Sequence, residues 1–225
     1  PNIKKQVDAF KEKGITPDAA REILGEKNVV GPEDIERVFG FLPEIIPPIS
    51  YSREQLEQAK ASGMQHILRM NKDKEGKDLT GARMNELLQS KMPGGSKLFY
   101  DTSWYKGEQF FAQETCALEW KLTSGDCMPR SFSKNYTEQT RLLRDTLKAQ
   151  GVLAQEEEDE CTDARLNNLA AMAQGDQWKE AAKQLANLQI NQQYRLSFSE
   201  SLYDTLMTFF AHDRRFLSST YNWIR

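Results

Sequence analysis

Polar and apolar residues alternate in two segments near the middle of the chain, and this period of two predicts β-strands. The first segment follows Gly63 and separates its side chains onto two faces, with Met64, His66, Leu68 and Met70 against Gln65, Ile67 and Arg69. The second segment, residues 117–123, places Leu118, Trp120 and Leu122 on one face. Together they predict a small central sheet, mainly antiparallel, with helices on one side.

Three short amphipathic helices are predicted before this sheet, in a helical N-terminal subdomain of residues 1–45. The first ends at Gly14 and has an apolar face of Ile3, Val7 and Phe10. The second begins at Thr16-Pro17, a hydroxyl cap followed by a proline in the first turn, and ends at Gly25. The third repeats this arrangement from Gly31-Pro32 to Gly40.

Helix signals also flank the predicted strands in the central region, residues 46–135. Ser52 and Gln55 have the spacing of a capping box, so a helix is expected to begin there after an extended, proline-containing segment. A second helix is predicted from Thr80 to Ser90, with Met84, Leu87 and Leu88 directed inward. The region is therefore expected to be α+β, with helices on one side of its sheet.

The last region, residues 136–225, follows a helical pattern. Asn135 and Glu138 predict the start of one helix, and apolar stripes on either side of Gly175 predict a helical hairpin. A final helix is expected to open at Ser197 and Glu200. The fold class is therefore α+β: a helical N-terminal piece, a small mainly antiparallel central sheet and a helical C-terminal half.

Composition and charge exclude some kinds of partner but identify none. The chain has 225 residues and a net charge of -3, with 28% charged residues of both signs, so bulk electrostatics argue against nucleic acid as a partner. No window resembles a membrane span, and the first residues lack the apolar core of a signal peptide. Three cysteines favour reduced thiols and a cytoplasmic location, although a bridge between Cys116 and Cys127 stays open.

No catalytic signature is present. His66 shares a strand face with apolar residues and is expected to be packed, and His212 ends an apolar helix, where a structural capping role is expected. The two histidines lack the spacing of zinc ligands, and the acidic run Glu156 to Glu160 lacks the glycine turn of a calcium loop, so we predict no metal and no cofactor. Gly94-Gly95-Ser96-Lys97 lacks the first glycine of a phosphate loop and is interpreted as a turn.

An aromatic segment and a basic segment follow each other in the central region. Residues 98–111 are rich in aromatic rings, and a basic stretch follows at residues 130–136. Such a combination is typical of surfaces that bind a peptide, a glycan or a partner protein. The candidate ligand-binding residues are Trp104, Tyr105, Lys106, Arg130 and Lys134. The alternative is that these rings form the core beside the sheet.

Several short segments together resemble a known group of proteins. They are Ile15-Thr16-Pro17 to Gly25, Gly31-Pro32-Glu33, Pro47-Pro48-Ile49 with Ser52-Arg53-Glu54, Leu68-Arg69 before Lys74-Glu75-Gly76-Lys77, Trp104-Tyr105-Lys106, Asn135-Tyr136 to Gln139-Thr140, and Thr220-Tyr221-Asn222-Trp223. The chain resembles a family of uncharacterised proteins from uncultivated small-genome bacteria. Some members continue beyond the counterpart of Trp223 into a region similar to C-type-lectin-like variable domains diversified by retroelements. The resemblance implies a ligand-display protein and supplies no catalytic residue.

These observations favour a non-enzymatic binding or scaffold protein that presents a variable ligand-binding domain, with a protein or glycan as its partner. Two alternatives stay open: an enzyme of unrecognised type with a cleft near His66 or Cys127, and a nucleic-acid-binding adaptor acting through residues 16–40. Acids within hydrogen-bond reach of His66 or Cys127 in a cleft would favour the enzyme. An exposed patch of Trp104 and Tyr105, with both histidines packed, would favour the binder.

Overall fold

The structure is a computed structural model and describes residues 14–103, 105–124 and 127–215. Its helices and strands follow one another along the chain as α1 (Pro17–Leu24), β1 (Val29–Val30), α2 (Pro32–Phe39), α3 (Arg53–Ala61), β2 (Met64–Arg69), α4 (Gly81–Leu88), α5 (Gln109–Ala112), β3 (Glu119–Ser124), α6 (Tyr136–Ala149), α7 (Gln155–Glu160), α8 (Asp163–Gln174), α9 (Trp178–Asn187), α10 (Gln189–Tyr194) and α11 (Phe198–His212). Short 3₁₀ turns cover Glu26–Asn28, Gln89–Lys91 and Pro93–Gly95.

The described residues divide into two compact units. The first contains the described residues up to 124 together with 198–215, and the second contains residues 127–197. The chain therefore leaves the first unit after β3 and returns to it with α11. The predicted division into residues 1–45, 46–135 and 136–225 stays a prediction.

The sheet of the first unit has the order β1-β2-β3. β2 pairs antiparallel with β3, from Met64 opposite Ser124 to Arg69 opposite Glu119, and β1 pairs parallel with β2. The α+β class is confirmed, but the prediction of a mainly antiparallel sheet is wrong because the sheet is mixed. Val29 and Val30 are too few to show an alternating pattern, and the crossover through α2 and α3 returns the chain in the same direction.

Local capping signals are confirmed in the first unit. The Thr16 hydroxyl accepts a hydrogen bond from the Ala19 amide at 3.1 Å, which opens α1. Ser52 and Gln55 form the predicted capping box of α3, with bonds of 2.8 and 3.2 Å. Gly40 ends α2 in the left-handed conformation, with a φ of 80°, where a side chain would be strained.

The core of the first unit surrounds β2, which is buried on both of its faces. Its apolar contributors come from all three strands, from α1 to α4 and from α11, among them Leu24, Ile35, Leu56, Leu68 and Met84. Most rings of the aromatic segment pack beside this core: Phe99, Tyr105, Phe110 and Phe111 contact one another and Phe198. Gly81 opens α4 against this cluster, and a Cβ at that position would lie 2.7 Å from the Phe111 ring.

The second unit consists of helices around a separate core. Leu147, Cys161, Leu166, Leu169, Leu185, Leu188 and Ile190 form that core. The predicted capping box of α6 is confirmed, since Asn135 accepts from the Glu138 amide at 2.9 Å and Glu138 accepts from the Asn135 amide at 2.8 Å. The acidic run forms the short helix α7, and Glu157 within it is buried and caps the Ala154 amide at 3.0 Å.

Some predictions fall outside the described residues. The first predicted helix, with Ile3, Val7 and Phe10, is one of them, and the aromatic tail from Phe216 to Arg225 is another. Within the described residues, none of the helices combines the length and the apolar character needed to cross a bilayer.

Candidate functional site

His66 lies on the central strand β2, in the core of the first unit. Its ring stacks on Trp120 with centroids 4.7 Å apart and meets Tyr51 edge-on at 5.4 Å. Neither ring nitrogen has a hydrogen-bond partner among the described residues, and burial lowers the pKa of His66 to about 4. The imidazole is therefore neutral at pH 7 and packs between aromatic rings, as the sequence predicts.

His212 lies in the last turn of α11. Its Nε2 donates to the carbonyl oxygen of Val29 at 3.1 Å. This bond joins the end of the helix to the edge strand β1, so the structural part of the expectation for His212 is confirmed and the capping part is not. The bond is to the backbone of another element rather than to a carbonyl of its own helix.

None of the three cysteines forms a disulfide, and Cys116 and Cys161 are buried. Burial raises the pKa of Cys116, and it does the same for Cys161 in the second unit. A raised pKa leaves the thiol protonated at neutral pH, which makes both residues poor nucleophiles. Cys127 is half-buried. Within the part of the chain that the structure describes, no group of three or more histidine, cysteine or acidic side chains is arranged to hold a metal ion.

The candidate ligand-binding residues are divided between the two units. Tyr105 is buried in the aromatic cluster of the first unit, and Lys106 beside it is exposed. Arg130 and Lys134 belong to the second unit, where Arg130 is exposed with a φ of 66° and Lys134 is half-buried. Trp104 lies outside the described residues. Tyr105 therefore contributes to packing, and the role of the other four residues stays a prediction.

The arginines of residues 16–40 face carboxylates. Arg21 contacts Asp18 at 3.2 Å and Glu33 at 2.8 Å. Arg37 contacts Asp34 at 2.6 Å and donates to the carbonyl of Ala211 at 3.0 Å. Paired guanidinium groups offer little charge to phosphates, so these contacts do not support the nucleic-acid alternative.

The most concentrated chemistry of the first unit surrounds Arg69, which the sequence reasoning did not single out. The Arg69 side chain is fully buried, and Asp204 of α11 accepts from its Nε at 2.9 Å and from its Nη2 at 2.6 Å. Glu200, one turn earlier, accepts from Nη1 at 2.8 Å, and Glu119 of β3 lies 3.8 Å from the same nitrogen. Burial opposes the charge of the guanidinium, but hydrogen bonding and attraction to these carboxylates outweigh it and raise the pKa of Arg69.

A sequence signal for this cluster exists in retrospect. Glu200 and Asp204 are the two acids of α11 and are spaced one helical turn apart, so both carboxylates share one face. A buried helix face with two acids requires a cation opposite it. Arg69 is the basic residue on the polar face of the strand pattern.

Helix α11 is tied to the rest of the first unit along its whole length. Besides the Arg69 bonds, it makes hydrogen bonds at successive turns. In its first half, Ser199 bonds Glu114 at 2.8 and 3.1 Å, and the Tyr203 hydroxyl donates to the Leu68 carbonyl at 3.1 Å. In its second half, Thr208 bonds Gln65 at 3.2 Å, the Ala211 carbonyl accepts from Arg37 at 3.0 Å, and His212 bonds Val29 at 3.1 Å. Just beyond the helix, Arg214 donates to Asn28 at 3.1 Å. The position of α11 is therefore fixed at both ends and in the middle.

An open cleft of about 530 Å³ lies at the C-terminal end of α11. Two aromatic rings and charged groups of both signs line it, and they include Glu26, Lys27, Asp34, Arg37, Phe209, Phe210, His212 and Asp213. Its size is that of a small-molecule site. However, Asp34, Arg37 and His212 are engaged in hydrogen bonds that hold α2, α11 and β1, so the cleft offers a mixed surface for contact.

The chain matches no protein-family model, no curated protein and no solved structure. The function is therefore inferred from the contacts described above and from the resemblance of the sequence.

Proposed function

We propose that this chain is a non-enzymatic scaffold, the body of a ligand-display protein whose variable, C-type-lectin-like domain is carried by a continuation of the chain. The resemblance of the sequence to the family of small-genome bacteria suggests the continuation. The anchoring of α11 is the observation that supports the role of a body.

A body that presents another domain has to hold its attachment point still, because a loose attachment adds an entropic cost to each binding event. Helix α11 is the last described helix, and whatever follows it inherits the position of its last turn. The bonds of His212 to Val29 and of Arg214 to Asn28 hold that turn against the edge of the sheet. The buried pair of Arg69 and Asp204 holds the middle of the same helix.

The ionisable side chains buried in the first unit are paired or packed, which agrees with a scaffold role. Arg69 and Asp204 neutralise each other in the core, and His66 is kept neutral between aromatic rings. These groups stabilise one arrangement of sheet and helix. The absence of a disulfide among Cys116, Cys127 and Cys161 suits a reducing compartment such as the cytoplasm.

We also propose that the body itself binds a glycan or a peptide. Lys106 and Arg130 are exposed, and Lys134 is half-buried, so alanine at these positions removes charge without opening the core. Binding of the chain to a panel of glycans and peptides, compared with these three variants, tests it. Tyr105→Ala is unsuitable because it disrupts the aromatic cluster.

The display proposal is tested by sequencing the gene and its downstream region in many cells of one population. We expect the reading frame to continue past Arg225 and sequence differences to concentrate in that continuation, while the codons for residues 14–215 stay constant. A stop codon directly after Arg225, or a continuation as constant as the body, would overturn the proposal.

A further inference from the structure

The cleft at the end of α11 contains two charged side chains of opposite sign that hold no other part of the fold. Lys27 and Asp213 both line it, and neither side chain has an ion pair or a hydrogen bond among the described residues. They do not pair with each other either. An ammonium and a carboxylate are therefore both available to a ligand that enters this cleft.

The other charged groups of the cleft are engaged, with one exception. Asp34 pairs with Arg37 at 2.6 Å. Glu26 lies 3.6 Å from Arg21. The bonds of Arg37 to Asp34 and to the Ala211 carbonyl both use its Nη2. Its Nε and Nη1 have no partner in the part of the chain that the structure describes, so this guanidinium can still donate to an anion.

Asp213 occupies a backbone position that usually belongs to glycine. It follows the last turn of α11 with a φ of 52°, and its amide donates to the Phe209 carbonyl at 2.8 Å. Glycine is preferred in this left-handed conformation at the end of a helix, because a side chain there costs stability. The aspartate adds a carboxylate at the negative end of the helix dipole, where a cationic group is stabilised.

The rings of Phe209 and Phe210 form an apolar wall of the cleft. They meet edge-on with centroids 5.1 Å apart, and Arg215 lies over the Phe209 ring at 4.9 Å. Both side chains are half-buried, so part of each ring stays open to a ligand. Apolar walls with a few charged groups at fixed positions are typical of sites that orient small amphipathic molecules.

We propose that this cleft binds a small zwitterion, an α-amino acid with an apolar or aromatic side chain. The carboxylate of the ligand pairs with Lys27 and with the free donors of Arg37. Its ammonium pairs with Asp213, and its side chain packs on the Phe209 and Phe210 rings. A ligand with a single charge would leave one side of the cleft unpaired. The volume of about 530 Å³ accommodates a molecule of this size.

Such a site goes beyond the scaffold role and does not depend on it. The cleft lies within the first unit, and its lining includes none of Lys106, Arg130 and Lys134, which are proposed to bind a glycan or a peptide. The cleft is open, and an amino acid such as phenylalanine has only about 12 non-hydrogen atoms, so we expect a Kd on the order of 1 mM.

The test is a titration of the isotopically labelled chain, followed by NMR, with L-phenylalanine and two analogues that each lack one charge. Phenethylamine lacks the carboxylate, and hydrocinnamate lacks the ammonium. We expect L-phenylalanine to shift the amide signals of the residues that line the cleft and to saturate with a Kd on the order of 1 mM. Each analogue should bind at least about fivefold more weakly, because it loses one ion pair.

Two variants assign each charge of the ligand to its partner. Asp213→Asn keeps the size of the side chain and its tolerance of the left-handed backbone, and it should weaken L-phenylalanine at least about fivefold while leaving hydrocinnamate unchanged. Lys27→Gln should weaken L-phenylalanine as much and leave phenethylamine unchanged. Asp213→Gly should be at least as stable as the unmodified chain and still bind as weakly as Asp213→Asn.

Asp176→Asn and Lys60→Gln are the matched controls, because they remove the same charges at exposed positions that do not line the cleft. They should leave binding unchanged, and circular dichroism should show every variant folded. Titration without saturation up to about 20 mM L-phenylalanine would overturn the proposal. So would analogues that bind as tightly as the amino acid, or an Asp213→Asn variant that binds it as the unmodified chain does.

Discussion

Replacing Asp204 with alanine removes the carboxylate that holds the guanidinium of Arg69 inside the first unit. The substitution deletes two hydrogen bonds, of 2.9 and 2.6 Å, and leaves Arg69 with Glu200 at 2.8 Å. The Arg69 side chain is 0% exposed, so the guanidinium cannot recover these bonds from water without local opening. Breaking one side of a buried ion pair costs about 3–5 kcal/mol, which is a large fraction of the stability of an ordinary domain.

The double variant Arg69→Met/Asp204→Leu separates the cost of an orphaned charge from the value of the pair. It removes both charges of the pair and keeps similar side-chain volumes, while Glu200, which is 14% exposed, exchanges Arg69 for water. The expected cost is therefore about 1–2 kcal/mol, below that of the single variant. Asp78→Ala is the control for a surface pair, since Lys72 and Asp78 lie 2.9 Å apart and are both exposed. It should cost at most about 0.5 kcal/mol.

The assay must report on the first unit alone, because two units need not unfold together. Hydrogen exchange of peptides from β2 and α11, measured over a urea series, gives the free energy of opening of those elements. A loss below about 1 kcal/mol for Asp204→Ala would contradict the reasoning. A double variant as unstable as the single one would contradict it too, because the damage would then not come from the unpaired guanidinium.

Three further predictions concern pH, close packing and capping. The pKa of His66 is about 4 in the folded chain and 6.5 for the free side chain, so between these pH values only the unfolded chain binds the extra proton. The free energy of unfolding should therefore fall by up to about 3 kcal/mol as the pH drops from 6.5 to 4. Urea titrations at stepped pH should show that slope, and His66→Phe should flatten it. Gly81→Ala should cost about 1–3 kcal/mol in thermal or urea unfolding because its Cβ meets Phe111, whereas Gly107→Ala, which has open space around it, should cost far less. Asn135→Ala should destabilise α6 by about 1 kcal/mol and speed amide exchange in its first turn, and Asn135→Asp should not.

The features that could be predicted from the sequence are those that depend on near neighbours. The capping boxes at Ser52 and Asn135 each involve residues three positions apart, and both are present. The strands β2 and β3 show their alternation within six residues each. The packed state of His66 followed from the apolar residues that share its face.

The features that were missed depend on residues far apart in the chain. β1 has two residues, and its parallel partner is set by a crossover that no local pattern records. The pairing of Arg69 with Asp204 joins positions 135 residues apart. No local pattern in the acidic run distinguishes Glu157 from its neighbours, yet Glu157 is buried and accepts a hydrogen bond from the Ala154 amide.

Arg69 and its carboxylate partners lie far apart in the sequence, and this affects how the chain folds during synthesis on the ribosome. When β1, β2 and β3 have emerged, Asp204 and Glu200 have not yet been translated, so the guanidinium must keep its water and β2 cannot take its final place in the core. The described part of the second unit, residues 127–197, is contiguous, and its helices emerge before α11. We therefore expect the inserted unit to fold first, and the unit that begins the chain to close only when its last helix arrives.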